Sequence, residues 1–97
     1  MIHNVYFWLN EGADAAKFET GAKSLFDIDV VQHGALGKLA PTPERPVTDK
    51  SFQYHLCLEF ASIEDHNAYQ KHPDHHQFVN NCGELWSRVV VYDSEPA

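Results

Sequence analysis

The nine residues from Phe52 to Phe60 alternate without a break, and that alternation limits the fold more than any other feature of the chain. Phe52, Tyr54, Leu56, Leu58 and Phe60 fall on one side; Gln53, His55, Cys57 and Glu59 fall on the other. A period of two is the signature of a β-strand with one apolar face. A strand of this kind belongs in a sheet whose apolar side is covered by a second layer.

The flanking segments supply both the sheet and the cover. Ile2 to Leu9 is aromatic and β-branched, with His3, Val5, Phe7 and Leu9 on one face and Ile2, Asn4, Tyr6 and Trp8 on the other. Asn10-Glu-Gly12 ends it. Across residues 14–26, Ala15, Phe18, Ala22, Leu25 and Phe26 recur at helical spacing, while Gly21 weakens the helix and lets it lie close to a sheet. Val30 to Leu39, interrupted by Gly34 and Gly37, reads as a bent or bulged strand. Three prolines in Ala40-Pro-Thr-Pro-Glu-Arg-Pro46 fix three φ angles and remove three donors, so that stretch is a loop. Loops of this length in small domains are often binding loops or dimer arms.

Ser62-Ile-Glu-Asp65 opens a helix as a capping box, with Asp65 reaching back to Ser62. This helix runs to about Lys71, because the residue before Pro73 is pushed out of the α region. A second helical segment begins near Asp74 and ends near Leu85, burying Phe78, Val79, Cys82 and Leu85 or Trp86. Ser87 to Asp93 is the last strand and Ser94 to Ala97 a tail. The order is β-α-β-β-α-β with the second helix kinked at Pro73, the ferredoxin-like α+β arrangement. Its helices cover one sheet face. The other carries Tyr6, Trp8 and Cys57, and aromatics there call for a partner.

Ninety-seven residues, 43% of them hydrophobic, make one small domain over residues 1–97. A net charge of −7 and the absence of any Lys or Arg run exclude a nucleic-acid or anionic-membrane footprint. Cys57 and Cys82 form no CxxC pair and are expected to be reduced, as in the cytoplasm. The first residues lack a basic leader, and no apolar run reaches membrane-spanning length. The expectation is a soluble, acidic, cytoplasmic protein.

Three stretches of sequence carry a resemblance. They are His3-x-Val5, Ala40-Pro-Thr-Pro-Glu-Arg-Pro-Val-Thr-Asp49, and Phe60-x5-His66-x2-Tyr69-x2-His72-Pro-x-His75. With Phe78-Val79, Trp86 and the closing Val91-Tyr-Asp93, they resemble the stress-responsive A/B barrel (Dabb) family over essentially the whole chain. The Tyr-x2-His-Pro-x-His string joined to a terminal Tyr-Asp is the specific part. The resemblance implies a homodimer whose two sheets close into an α/β barrel, a small pocket between each sheet and its own helices, and no cofactor. A plant polyketide cyclase of this family relies on a histidine–tyrosine pair whose roles would fall on His75 and Tyr69 here. His3 and His72 also match histidines of that enzyme, whereas its third-strand histidine falls at Tyr54 and its proline-rich loop differs.

Two functions stay open at this point. One is binding of a small, partly apolar molecule in a sheet–helix pocket lined by His3, Tyr54, Tyr69, His75 and Trp86, with His72 beside it. The other is cofactor-free acid/base chemistry, a polyketide-cyclase-like cyclisation or an isomerisation. There His75 would be the base, and Tyr69 would orient it or stabilise an oxyanion. The competing structural roles are that His75 bonds carbonyls freed at the kink and that His3 is a buried, satisfied histidine. The spacing of His72, Asp74, His75 and His76, with His66 a turn or more earlier, does not give tetrahedral ligation, so no specific metal site is expected there; weak divalent-ion binding at an acidic dimer edge stays open. Arg45 and Asp49 could pair locally or across a dimer interface, though an exposed pair worth little is the expectation. Glu59 is expected near an edge with Arg88 a candidate partner, and Cys57 lacks the neighbouring cation a nucleophile needs.

Overall fold

The computed structural model describes residues 1–97. Four strands, β1 (Ile2–Leu9), β2 (His33–Lys38), β3 (Tyr54–Glu59) and β4 (Trp86–Ser94), form one antiparallel sheet in the order β2-β3-β1-β4. Helices α1 (Ala15–Ser24), α2 (Ile63–Lys71) and α3 (Pro73–Cys82) supply the cover. Single 3₁₀ turns, Leu25–Asp27 and Gly83–Leu85, close α1 and α3. This is the ferredoxin-like order expected from the patterning.

Alternation decides which face is covered. Val5 and Phe7 of β1 and Tyr54, Leu56 and Leu58 of β3 are buried with Phe18 and Ala22 of α1, Tyr69 of α2 and Phe78 and Cys82 of α3. Each helix starts on a side-chain cap: Asp14 accepts from Lys17 N–H at 3.0 Å, Ser62 from Asp65 N–H at 3.1 Å, and His72 from Asp74 N–H at 3.0 Å. Only this half of the capping box forms at Ser62, since the Asp65 carboxylate makes no return bond.

The open face carries an aromatic row. Tyr6 stacks on His55 with ring centroids 4.5 Å apart and meets Phe52 and Tyr92 edge-on. The Arg88 guanidinium lies 4.4 Å from the Trp8 ring centre. Arg88 therefore does not pair with Glu59, which sits at the far end of β3 opposite Ile2 and His33. Arg45 forms no pair with Asp49 either; the Asp49 carboxylate accepts from Ser51 N–H and Oγ–H at 2.8 and 2.6 Å, closing a local turn.

The segment from Val30 to Leu39 differs from its expected shape. Strand β2 starts only at His33 and pairs with β3 in unbroken register, from His33 opposite Glu59 to Lys38 opposite Tyr54. Its glycines do not bulge. Gly34 instead leaves the space that the Phe26 ring fills, and a Cβ built there would meet that ring at 2.3 Å. The sheet's register shift lies between Trp8 and Leu9, where β1 pairs with β4. No helix is long and apolar enough to cross a membrane.

Candidate functional site

Pro73 shapes the site. It cannot continue α2, and it holds His72 in an extended conformation, φ −66° and ψ 138°, from which α3 sets off in a new direction. On an unbroken helix Tyr69 and His75, six residues apart, would project roughly 120° away from each other. Across the break their rings meet edge to face, with centroids 4.8 Å apart.

The two rings border a cavity of about 350 Å³ between the β1–β4 half of the sheet and helices α2 and α3. Nine of its twelve lining residues are hydrophobic, among them Phe7, Tyr69, Phe78, Trp86, Val89 and Val91. The remaining three are His3, Gln70 and His75. Val89 and Val91 stay 43% and 47% exposed because no helix covers β4 fully, so the cavity opens along that strand. A larger groove of about 880 Å³ runs between α1 and α3, but only three of its twelve lining residues are apolar. It is a solvated cleft, and the apolar cavity with its convergent polar groups is the candidate site.

Side-chain electrostatics set the cavity apart. The His75 Nδ1 atom is buried and has no hydrogen-bond partner. Burial lowers the pKa of His75 first, with smaller contributions from His76, His3 and His66; a weak hydrogen bond of the imidazole to the Gln70 backbone, too poorly aligned to satisfy Nδ1, opposes them. His75 is therefore a neutral imidazole at pH 7. The Tyr69 side chain is almost fully buried, and burial alone drives its phenol pKa upward, so its hydroxyl keeps its proton.

His3 is also buried, and strand pairing places it directly opposite Asp93 on the same face. Its Nδ1 lies 2.5 Å from Asp93 Oδ1. Burial lowers the His3 pKa; the bond and charge of Asp93 resist that, and His66 adds to it. His66 reaches the same carboxylate from α2, with its Nε2 4.0 Å from Asp93 Oδ2.

These shifts predict how stability depends on pH. For His3, His55 and His75 the folded pKa lies below the ordinary value of 6.5, with burial the leading cause each time. The unfolded chain then binds more protons than the folded one, so stability is full above pH 6.5 and falls as pH drops below it. Thermal melts between pH 8 and pH 5 are expected to show a falling Tm with a break near 6.5. A Tm that rises over the acid limb would contradict this assignment.

The site thus gathers His3, Tyr69, His75 and Trp86 and leaves out two residues expected in it. Tyr54 does not line the cavity; its hydroxyl donates to Glu19 Oε2 at 2.5 Å and its ring packs on Phe18 under α1. Burial, then Glu19, pushes its pKa up to about 12. It lies opposite Phe7, four positions along β1 from His3, which carries it under the wrong helix. His72 does not line the cavity either, because its imidazole is spent capping α3. Cys57 is half-buried on the open face, where burial and then Glu59 push its thiol pKa up, the opposite of an activated nucleophile. The sequence reading did not place Asp93 or His66 beside His3. A signal for each existed: His66 precedes Tyr69 by three positions, one helical turn, and Asp93 alternates with Val89 and Val91 on β4.

Known structures share this architecture. A crystal structure of an Arabidopsis thaliana protein superposes with a TM-score of 0.81 at 21% identity, covering 99% of this chain and 94% of that one. A Dabb family protein with a ferredoxin-like fold from Mesorhizobium loti gives 0.79 at 24% identity, covering 99% and 95%. A hydroxynitrile lyase from Passiflora edulis gives 0.77 at 17% identity, covering 94% and 87%. Others, including one from Thermobifida fusca, are dimeric ferredoxin-like proteins. No curated protein matches the chain. The model of the stress responsive A/B barrel domain matches residues 2–96, and the chain belongs to that family, Dabb.

Proposed function

We propose that this protein binds a small, partly apolar molecule in the β4–α3 cavity and works as a cytoplasmic homodimer. The observation that carries the binding reading is the pairing of an apolar cavity of about 350 Å³ with the unpartnered, buried Nδ1 of His75. A buried polar atom without a partner costs stability, and His75 lines the cavity, so a rotation of its ring toward a ligand hydroxyl would recover that cost. The fitting class is an alkylphenol-sized compound, with one polar head toward His75 and Tyr69 and an alkyl tail along Val89 and Val91.

The test is an NMR titration with 3-pentylphenol. Saturable shifts at His75, Tyr69, Val89 and Val91 are the expected result. Shifts confined to the α1–α3 groove, or none at millimolar probe, would remove the proposal.

The homodimer reading is supported by the aromatic open face and by surface area. The single chain exposes 6244 Å², against about 5600 Å² for a typical monomer of this mass. Tyr92 is 64% exposed on that face. Dimeric neighbours with the same fold support it as well. Sedimentation should give a dimer at micromolar concentration, and a monomer there would overturn this part. The two cysteines, both free, fit a reducing compartment.

A second reading is favoured by one observation. A neutral His75 with a free nitrogen beside a protonated phenol is a base next to a hydrogen-bond donor, the parts list for proton abstraction from an acidic carbon. The fold also serves a hydroxynitrile lyase in Passiflora edulis, so catalysis lies within its reach. Deuterium exchange at the central carbon of a pentyl-substituted 1,3-diketone reads this directly. Acceleration lost by about 10²–10⁴-fold in His75→Leu supports the enzyme reading, and rates equal to buffer exclude it.

A further inference from the structure

We infer that His3, His66 and Asp93 form a binding site for a divalent transition-metal ion of the zinc class. Sequence spacing points to the His72–His76 stretch, with His66 a turn earlier, for metal chemistry. Folding instead brings together residues 63 and 27 positions apart, from β1, α2 and β4. One donor atom from each of the three lies within 4.8 Å of the others.

The distances suit an ion after small movements. Zinc holds nitrogen and oxygen ligands at about 2.0–2.2 Å, which places two tetrahedral ligands roughly 3.3 Å apart. The His3–Asp93 pair at 2.5 Å must open and the His66–Asp93 pair at 4.0 Å must close, each by less than about 1 Å, and the widest separation in the trio, up to 4.8 Å, must close by about 1.5 Å. Replacement of the shared proton between His3 and Asp93 by a cation drives the first change. Rotation of the His66 and Asp93 side chains supplies the second.

The donor set selects the metal class. Two imidazoles and one carboxylate favour zinc-like ions over magnesium or calcium, which prefer all-oxygen shells. The setting is also right for an open site. His3 is anchored in the core, while the Asp93 side chain is 41% exposed, so an ion can enter from solvent and keep positions for water. A metal on His3 Nδ1 would leave the His3 proton on Nε2. Because His3 also lines the cavity, the ion would set the tautomer that a cavity ligand meets.

Calorimetric titration of chelator-treated, full-length protein with zinc chloride tests the site, with cobalt(II) absorption reporting imidazole ligation. One ion per chain is expected. Loss of even an outer-shell partner costs roughly 10–100-fold in affinity, so His66→Gln and Asp93→Asn should each weaken binding by at least about 100-fold. Both positions are partly solvent-exposed, and circular dichroism of the two variants confirms that the fold survives. The double variant His72→Ala/His76→Ala should bind as the parent does. Unsaturable binding, binding indifferent to both single variants, or binding lost in the double variant would each overturn the site. Pentylphenol binding is read separately in metal-free protein, so failure of the metal site and failure of the cavity reading are distinguishable.

Discussion

Phe18→Ala is expected to destabilise the chain by about 3–5 kcal/mol. Phe18 is fully buried on α1, and its ring meets four others. The centroids of Phe7 and Tyr54 lie 4.9 and 4.8 Å away, and those of Phe78 and Trp86 6.2 Å. These neighbours sit on β1, β3, α3 and β4, so no one of them can move into the vacated volume without pulling on an element held by other contacts. The cavity term is then added nearly in full to the lost transfer free energy. Against a domain stability of about 5–15 kcal/mol this is a large share. Urea unfolding followed by circular dichroism measures it, with Val47→Ala as a control. Val47 is 79% exposed in the proline-rich loop, and its truncation should fall within about 0.5 kcal/mol of the parent. A Phe18→Ala loss below about 1 kcal/mol would mean that α1 does not pack as described.

What the sequence revealed, and what it hid, follows from the range of the interactions involved. Strand β3 and helix α1 are legible because alternation and helical spacing are local, and most of the residues that make the pattern make the core. Phe52 is an exception, lying before the strand and packing on Tyr6 of the open face, and Ala15 is exposed. The site was half legible for the same reason. Pro73 announces the helix break, and the break brings Tyr69 and His75 together across six residues. The other half depends on pairing between distant strands. That His3 faces Asp93 follows from the register of β1 with β4, ninety residues apart, and no local pattern states a register. Tyr54 misled for a related reason: it shares a face with the cavity residues, but a face is wider than a pocket. The glycines of β2 misled through their number. They looked like interruptions of a strand, yet Gly34 is there to admit the Phe26 ring.

Replacing His75 with leucine should make the ligand-free protein more stable while removing its capacity to bind. The buried Nδ1 of His75 has no hydrogen-bond partner within the protein. A buried polar group left unsatisfied costs about 1–3 kcal/mol, and an apolar side chain of similar volume removes that cost. Leucine also has the better helix propensity, and the position lies in the first turn of α3, where the His75 backbone N–H already bonds to the His72 carbonyl and is untouched by the change. A gain of about 1 kcal/mol in urea unfolding at pH 7 is therefore expected. The acid limb of the pH–stability curve should also flatten, because one of the three groups with a lowered pKa is gone. Binding moves the other way. Without an imidazole to meet the phenol hydroxyl, the affinity for 3-pentylphenol should fall by about tenfold or more, the worth of one hydrogen bond at a buried site. Opposite signs for stability and binding are what a residue kept for its ligand produces, and a residue kept for the fold cannot produce them. If His75→Leu instead loses more than about 1 kcal/mol of stability and leaves pentylphenol binding intact, His75 is a buttress of the helix break and the cavity's ligand is recognised without it.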